Sequence, residues 1–218
     1  MGRDESVVHD GQVVRRETHS NGGFVRDVLS FSESRGFGGA PRFLGVDREG
    51  REVVSFVVGE VFEDEEALSD AQVASAGRLL RRLHDVFAGS VLANDEEVVG
   101  HGDAGPHNVG FRGEEAVAVI DWKFAAPGSR LGELANVAWC LLDERWEREQ
   151  VGPAARRIGV FCRAYGWDDL EQVIDEVRAS VRRARDSHAD QGIPRSVEHF
   201  ERLLVWLDQH DDELKGKR

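Results

Sequence analysis

The chain has 218 residues, 40% of them hydrophobic, and a formal net charge of −13 at pH 7. That length supports a substantial core in one domain or two closely joined lobes, and the charge argues against a nucleic-acid backbone or an anionic membrane as partner. No signal-peptide pattern, membrane-length apolar run or Cys-x-x-Cys spacing occurs, so Cys140 and Cys162 predict buried free thiols in a cytoplasmic protein.

Taken in chain order, "ESVVHDGQVVRRE" places two β-branched runs around Asp10-Gly11, a hairpin signal. In "NGGFVRDVLSFSESRGF", Phe24, Val25, Leu29 and Phe31 fall at helical spacing, with Gly22-Gly23 ahead and Gly36 behind. "APRFLGVDREGREVVSFVVGEV" predicts strand, turn at Glu49-Gly50, and strand. Residues 1–59 therefore form a small β-rich lobe with one helix, and residues 60–70 an acidic connector to a larger lobe over 60–218.

That larger lobe opens with a helix over residues 69–89. Ser69 and Gln72 have capping-box spacing, Val73, Ala76, Leu80, Leu83 and Phe87 make one apolar stripe, and Gly89 stops it. Short strand-like runs "EVV" and "AVAVI" follow, then a helix in "SRLGELANVAWCLL" with Ser129 as its cap. Helical patterns over 154–165, 169–190 and 197–213 complete the chain, punctuated by Gly166, Gly192 and Pro194. The fold class is α+β, and a ligand cleft between the two lobes is the expectation.

The chemistry concentrates in "HGDAGPHNVGFRGEEAVAVIDWKF", residues 101–124. Asp103 lies in a Gly- and Pro-punctuated loop after a short strand. Asn108 is five residues on, and Asp121 ends the run "AVAVI". A carboxylate and an amide oxygen converging from two loops make a hard-oxygen site of the kind Mg²⁺ takes, completed by water and phosphate oxygens. A further carboxylate there can accept a hydroxyl proton, so the set contains the parts of phosphoryl transfer. His101, Asp103 and His107 match no zinc spacing.

"HGDAGPHN" followed by "VIDW" resembles the catalytic loop and metal aspartate of the aminoglycoside phosphotransferase family, a branch of the protein-kinase-like fold. "LLRRLHDV", "GSRLGELANVAW" with Glu133 before Leu-Ala, and the stretch ending "FVVGEV" resemble its preceding helix, following segment and hinge. The resemblance implies a two-lobed kinase-like fold and transfer of the γ-phosphate of ATP (or GTP), with Mg²⁺, to a hydroxyl of a small, aminoglycoside-like molecule or a peptide. It implies Asp103 as the catalytic aspartate, Asn108 and Asp121 as metal and nucleotide ligands, and His101 as a brace. Val57 and Val58, with the backbone of residues 55–59, would line the adenine pocket. Arg15, which shares Val13's face on a period-two strand, would replace the phosphate-binding lysine, with Arg16 the alternative.

The small lobe departs from the family pattern. Only residues 1–6 precede the hairpin, no Gly-rich loop covers the phosphates, and arginine stands for lysine. No glutamate occupies the first helix where that lysine's partner belongs, and Asp27 is the nearest acid. These departures leave three expectations: an enzyme with a reduced nucleotide site, a kinase-like binding module acting as an immunity, resistance or sequestering factor, or a start codon lying further upstream. The acidic and aromatic stretch "LLDERWERE" and the last helices are read as amphipathic surface, with a cationic-substrate pocket as the alternative.

Overall fold

The computed structural model describes residues 8–62, 68–142 and 151–217. The N-terminal part is strand-rich. β1 (Val8–Asp10) and β2 (Val13–Arg16) form the expected hairpin, and β3 (Phe43–Val46) and β4 (Glu52–Ser55) the second one. Together they make one antiparallel sheet in the order β1-β2-β4-β3, with β2 paired to β4 from Val13↔Ser55 to Arg16↔Glu52. Helix α1 (Gly22–Ser34) turns Val25, Val28 and Leu29 into the core, the spacing its sequence shows.

The remainder is mostly helical. α2 (Asp70–Phe87) starts on the predicted capping box: Gln72 N–H donates to Ser69 Oγ at 3.2 Å, and Ser69 N–H donates to Gln72 Oε1 at 2.9 Å. Val73, Leu80, Leu83 and Phe87 are buried along its stripe. α3 (Arg130–Leu142), α4 (Val151–Tyr165), α5 (Leu170–Asp190), α6 (Pro194–Gln209) and α7 (Asp211–Leu214) complete this part. The last predicted helix is two: Pro194 starts α6 three residues earlier than expected, because proline suits the first turn, and the chain breaks at His210. The stretch over 143–150, which holds most of "LLDERWERE", lies outside the described residues, as does 63–67 of the acidic connector.

Two short ribbons carry the motif segment between α2 and α3. β5 (Val98–Gly100) pairs with β8 (Ala126–Gly128), and β6 (Val109–Arg112) pairs with β7 (Glu115–Val119). β6 and β8 have no sequence signal of their own. Each is three or four residues long and interrupted or ended by glycine or proline, so only its partner fixes it as a strand. The N-terminal part is fastened to these ribbons by backbone bonds: Val119 N–H to Gly39 O at 2.9 Å, and a reciprocal pair between Glu60 and Phe111 at 2.8 Å. Neither cysteine is in a disulfide; Cys162 is buried, and burial pushes its pKa up to about 12, while Cys140 is half-buried. Among the described residues no helix is long and apolar enough to cross a membrane.

The crossing of α2 and α4 supports the platform under the site. It depends on Gly77, where a Cβ would lie 2.5 Å from Phe161 O and 3.2 Å from Tyr165 N. Alanine has the better helix propensity by about 1 kcal/mol. The overlap with rigid backbone outweighs it, so Gly77→Ala should destabilise the protein by roughly 1–3 kcal/mol. The check is a lower urea midpoint with unchanged slope. An unchanged or raised midpoint would show that the crossing relaxes freely.

Candidate functional site

The register of the β6–β7 ribbon brings the motif together. Val109 pairs with Val119, and Ile120 N–H donates to Asn108 O at 2.8 Å. Asn108 thus stands beside Ile120, one residue before Asp121. Asp121 is one of two non-glycine residues with positive φ among the described residues, at φ 59° and ψ 66°. That left-handed conformation costs about 1–2 kcal/mol for an L-residue, and the structure holds it from both sides. Trp122 next to it is fully buried, and its indole N–H donates to Val119 O at 2.9 Å.

His101 closes the other loop onto this ribbon. It is fully buried, donates from Nε2 to Ile120 O at 2.9 Å, and accepts the Asp103 N–H on Nδ1 at 3.3 Å. The imidazole also meets the Trp122 ring edge-on, with centroids 4.8 Å apart. Burial lowers its pKa to about 4, so the neutral ring that this bonding needs is the form present.

Asn108 ties the loop to itself. Its Nδ2 donates to Asp103 O at 2.8 Å and to Asp103 Oδ2 at 3.1 Å. With the amino end so engaged, the carbonyl end Oδ1 is the part of Asn108 left to bind a cation. His107 Nε2 lies 3.3 Å from Asp103 Oδ1. Burial raises the pKa of Asp103, but the hydrogen bond and charge of His107 and the nearby Lys123 ammonium outweigh it, and the net shift is downward. Behind the loop, both oxygens of the buried Glu133 carboxylate accept from Gly102 N–H at 3.1 Å, and burial lifts its pKa to about 7.

A cleft of about 430 Å³ lies between the strand-rich part and the ribbon. Val14, Val54 and Val57 form its apolar wall, and Asn108, Asp121, Arg16 and Lys123 its polar one. Asn108 and Asp121 therefore line one cleft, with Asp103 bonded to Asn108. The donor set suits Mg²⁺: two hard oxygen ligands, with the rest left to water and phosphate. Among the described residues no group of three or more His, Cys, Asp or Glu side chains is placed to hold a metal, which leaves no zinc-type cage.

Three expected site residues do not line the cleft: Asp103, which is tied to it through its bonds with Asn108, and Arg15 and Val58. Arg15 turns to the other face of β2, 3.4 Å from Asp10 and 4.0 Å from Asp47, while Val14 and Arg16 line the cleft. Every residue of β2 is half-buried, so alternation alone could not tell its faces apart. Val58 is also turned out, 61% exposed as a residue, with its carbonyl accepting from Arg112 Nε at 2.9 Å; of the two valines Val57 lines the cleft.

Sequence reasoning also missed Glu52 and Lys123. Glu52 is buried on β4 and takes Arg16 Nε at 3.3 Å and Arg26 Nε, from α1, at 3.0 Å. A Cβ on Gly22 would lie 2.8 Å from Glu52 Oε1, so the carboxylate sits against the first turn of α1, where the helix dipole favours it. The acid is on the strand and the base on the helix, the reverse of the expected pairing, and Asp27 is exposed. Lys123 donates to Asp121 Oδ2 at 2.9 Å. Its signal was its place two residues after Asp121.

Comparison with known proteins follows the same lines. Residues 87–179 match the model of the phosphotransferase enzyme family. A trifolitoxin immunity protein from Rhizobium leguminosarum bv. trifolii is 34% identical over 154 residues, covering 63% of this chain and 59% of that protein. The match thus spans less than two thirds of that relative's length. An aminoglycoside phosphotransferase from Alicyclobacillus acidocaldarius is similar with a TM-score of 0.58 at 13% identity, over 98% of this chain and 89% of that one. The GDP complex of aminoglycoside 2′-phosphotransferase-IIIa gives 0.60 at 11% identity, over 93% and 90%.

The brace predicts a pH dependence. The His101 pKa is about 4 in the fold against 6.5 in the unfolded chain, so its contribution is fully present above pH 6.5 and disappears as pH falls through 4. Because burial penalises the protonated ring, the stability lost between pH 6.5 and 4 is roughly 3 kcal/mol. In His101→Leu that acid-sensitive component should be absent, and stability at pH 7 lower by about 2–4 kcal/mol because Ile120 O and Asp103 N–H lose a buried partner. Urea unfolding from pH 7.5 to 4 measures both. Parallel profiles for the two proteins would count against the brace.

Proposed function

We propose, for a chain that has the protein-kinase-like fold of the aminoglycoside phosphotransferases and matches the phosphotransferase enzyme family over residues 87–179, that it phosphorylates a hydroxyl group. The donor is ATP, with GTP as the alternative, and the acceptor is a small molecule or a peptide serine or threonine. One observation carries this reading: Asn108 bonds both the backbone and the carboxylate of Asp103 while lining the cleft with Asp121. A protein that only bound a ligand has no need of that link between an acceptor-side carboxylate and a metal-type site.

In this reading residues 1–59 form the nucleotide side, and 60–218 carry the catalytic loop and the acceptor pocket. Val57 and the backbone over 55–59 take the base against the valine wall. Asn108 Oδ1 and the Asp121 carboxylate would hold Mg²⁺, which would supply neutralisation of the phosphate charge. Asp103 orients the acceptor hydroxyl. The acceptor oxygen bonds to the γ-phosphorus as the bond from that phosphorus to the β–γ bridging oxygen breaks. The nucleoside diphosphate leaves and the hydroxyl proton passes to the Asp103 carboxylate. The lowered pKa makes Asp103 a weak base at neutral pH, so most of its effect is positional, and proton transfer comes late in the step.

A second reading is favoured by the 34% identity to an immunity protein and by the engagement of Arg16 with Glu52. Here the chain serves immunity or resistance by sequestering a ligand rather than by transferring phosphate. The acceptor class links the two readings, since a modified peptide fits both.

Thermal unfolding with ATP, with and without MgCl₂, tests the first reading. The wild-type midpoint should rise only with both present. Asp121→Ala should lose the rise and Asp103→Asn keep it. Slow ATP hydrolysis by the wild type should fall at least about 100-fold in Asp103→Asn. A wild type indifferent to Mg·ATP overturns the transferase reading. A midpoint shift without any hydrolysis, alike in wild type and Asp103→Asn, favours the binding module.

A further inference from the structure

The cleft needs a cation for the nucleotide phosphates, and the strand arginines do not supply one. Arg15 is on the far face of β2. Arg16 lines the cleft, but its side chain is 11% exposed and is held on the Glu52 carboxylate, itself 2% exposed. Drawing Arg16 onto a phosphate would leave Glu52, a buried charge, with Arg26 alone. Arg16 is therefore a fixed wall of the cleft, with Nη1 4.0 Å from Asp121 Oδ1.

Resting on the nucleotide reading above, we propose that Lys123 is the residue that grips the donor phosphates. Four observations converge on it. It lines the same cleft as Asn108 and Asp121. Its Nζ is 2.9 Å from Asp121 Oδ2, so any phosphate oxygen on a cation bound by Asp121 comes within reach of that ammonium. Both partners of this pair have 35% of the side chain exposed, where an ion pair contributes little and exchanges readily. The backbone beneath is fixed by the fully buried Trp122, while the four-carbon stem of lysine lets its head swing from Asp121 to an incoming phosphate. At rest Nζ also stands 5.1 Å from the centroid of the Phe124 ring.

The pair gives the site a resting state and a loaded state. In the resting state Lys123 neutralises Asp121. When the metal takes Asp121, Lys123 is released to the phosphates, and neither charge is left without a partner. The phosphate-binding cation thus comes from the segment after the metal aspartate rather than from the strand of the small lobe.

Calorimetric titration with ADP and with adenosine, both in MgCl₂, tests this on the full chain and on Lys123→Met, Lys123→Arg and Arg16→Met. The wild type should bind ADP more tightly than adenosine. Lys123→Met should lose about tenfold or more in ADP affinity, the value of one charged hydrogen bond, with adenosine affinity unchanged. Lys123→Arg should recover part of it. Unchanged adenosine binding also shows that the variant is folded. ADP affinity equal to or above wild type in Lys123→Met, equal loss of both ligands, or transfer of the phosphate preference to Arg16 overturns the proposal and leaves the nucleotide reading standing. A wild type that binds neither ligand removes the nucleotide reading, and this proposal with it.

Discussion

The geometry of the site hangs on one buried imidazole. His101 joins the loop that carries Asp103 to the ribbon that carries Asp121, through Ile120 O on one side and Asp103 N–H on the other. Both bonds require a neutral ring with its proton on Nε2, and burial enforces that state. Because the partners are backbone groups, the brace fixes where the loops lie without occupying the side chains of Asp103 and Asp121. The Asn108 bonds to Asp103 and the Glu133 bonds to Gly102 then stiffen the loop from within and from behind. In the proposed transfer, preorganisation of this kind would let Asp103 act by position.

The charge layout of the cleft follows from a second buried group. Glu52 sits at the meeting point of β4, β2 and α1, holding Arg16 and Arg26 together. This triad does the structural work of joining α1 to the sheet, and it takes Arg16 out of the pool of mobile cations. Asn21 at the start of α1 adds a 2.8 Å bond to Ala125 O, on the segment after Asp121. The strand-rich part is thereby tied to both halves of the motif, through Glu60–Phe111 and through α1. The ion pair on the cleft wall that remains half-exposed is Asp121–Lys123.

Much of this was legible in the sequence, where local chemistry determines the outcome. The capping box of α2, the turn at Asp10-Gly11 and the apolar periodicity of α1 are short-range signals, and all three appear as elements. The spacing of Asp103, Asn108 and Asp121, 18 residues from first to last, pointed to one site, and the structure brings Asn108 and Asp121 to one cleft with Asp103 bonded to Asn108. Facing was not legible. Arg15 and Arg16 differ only in which side of a half-buried strand they occupy, and that is decided by packing of β2 on β4. Val57 and Val58, in the segment after β4, also differ in facing: one lines the cleft and the other is exposed. Glu52 is a long-range effect: a strand acid becomes a buried hub only once α1 and β2 close over it, and no periodicity announces that. The ribbons β6 and β8 exist through their partners, so their own composition is silent.

The central claim is that Asn108 and Asp121 hold a metal ion on a nucleotide in a site built before the ligand arrives. The most direct measurement is a crystal structure of the full chain with Mg²⁺ and a non-hydrolysable ATP analogue. The account predicts Mg²⁺ at about 2.0–2.1 Å from Asn108 Oδ1 and an Asp121 oxygen, with the base against Val57 and the backbone over 101–121 unmoved. A nucleotide bound elsewhere, a metal that touches neither residue, or a rebuilt loop around His101 would contradict it.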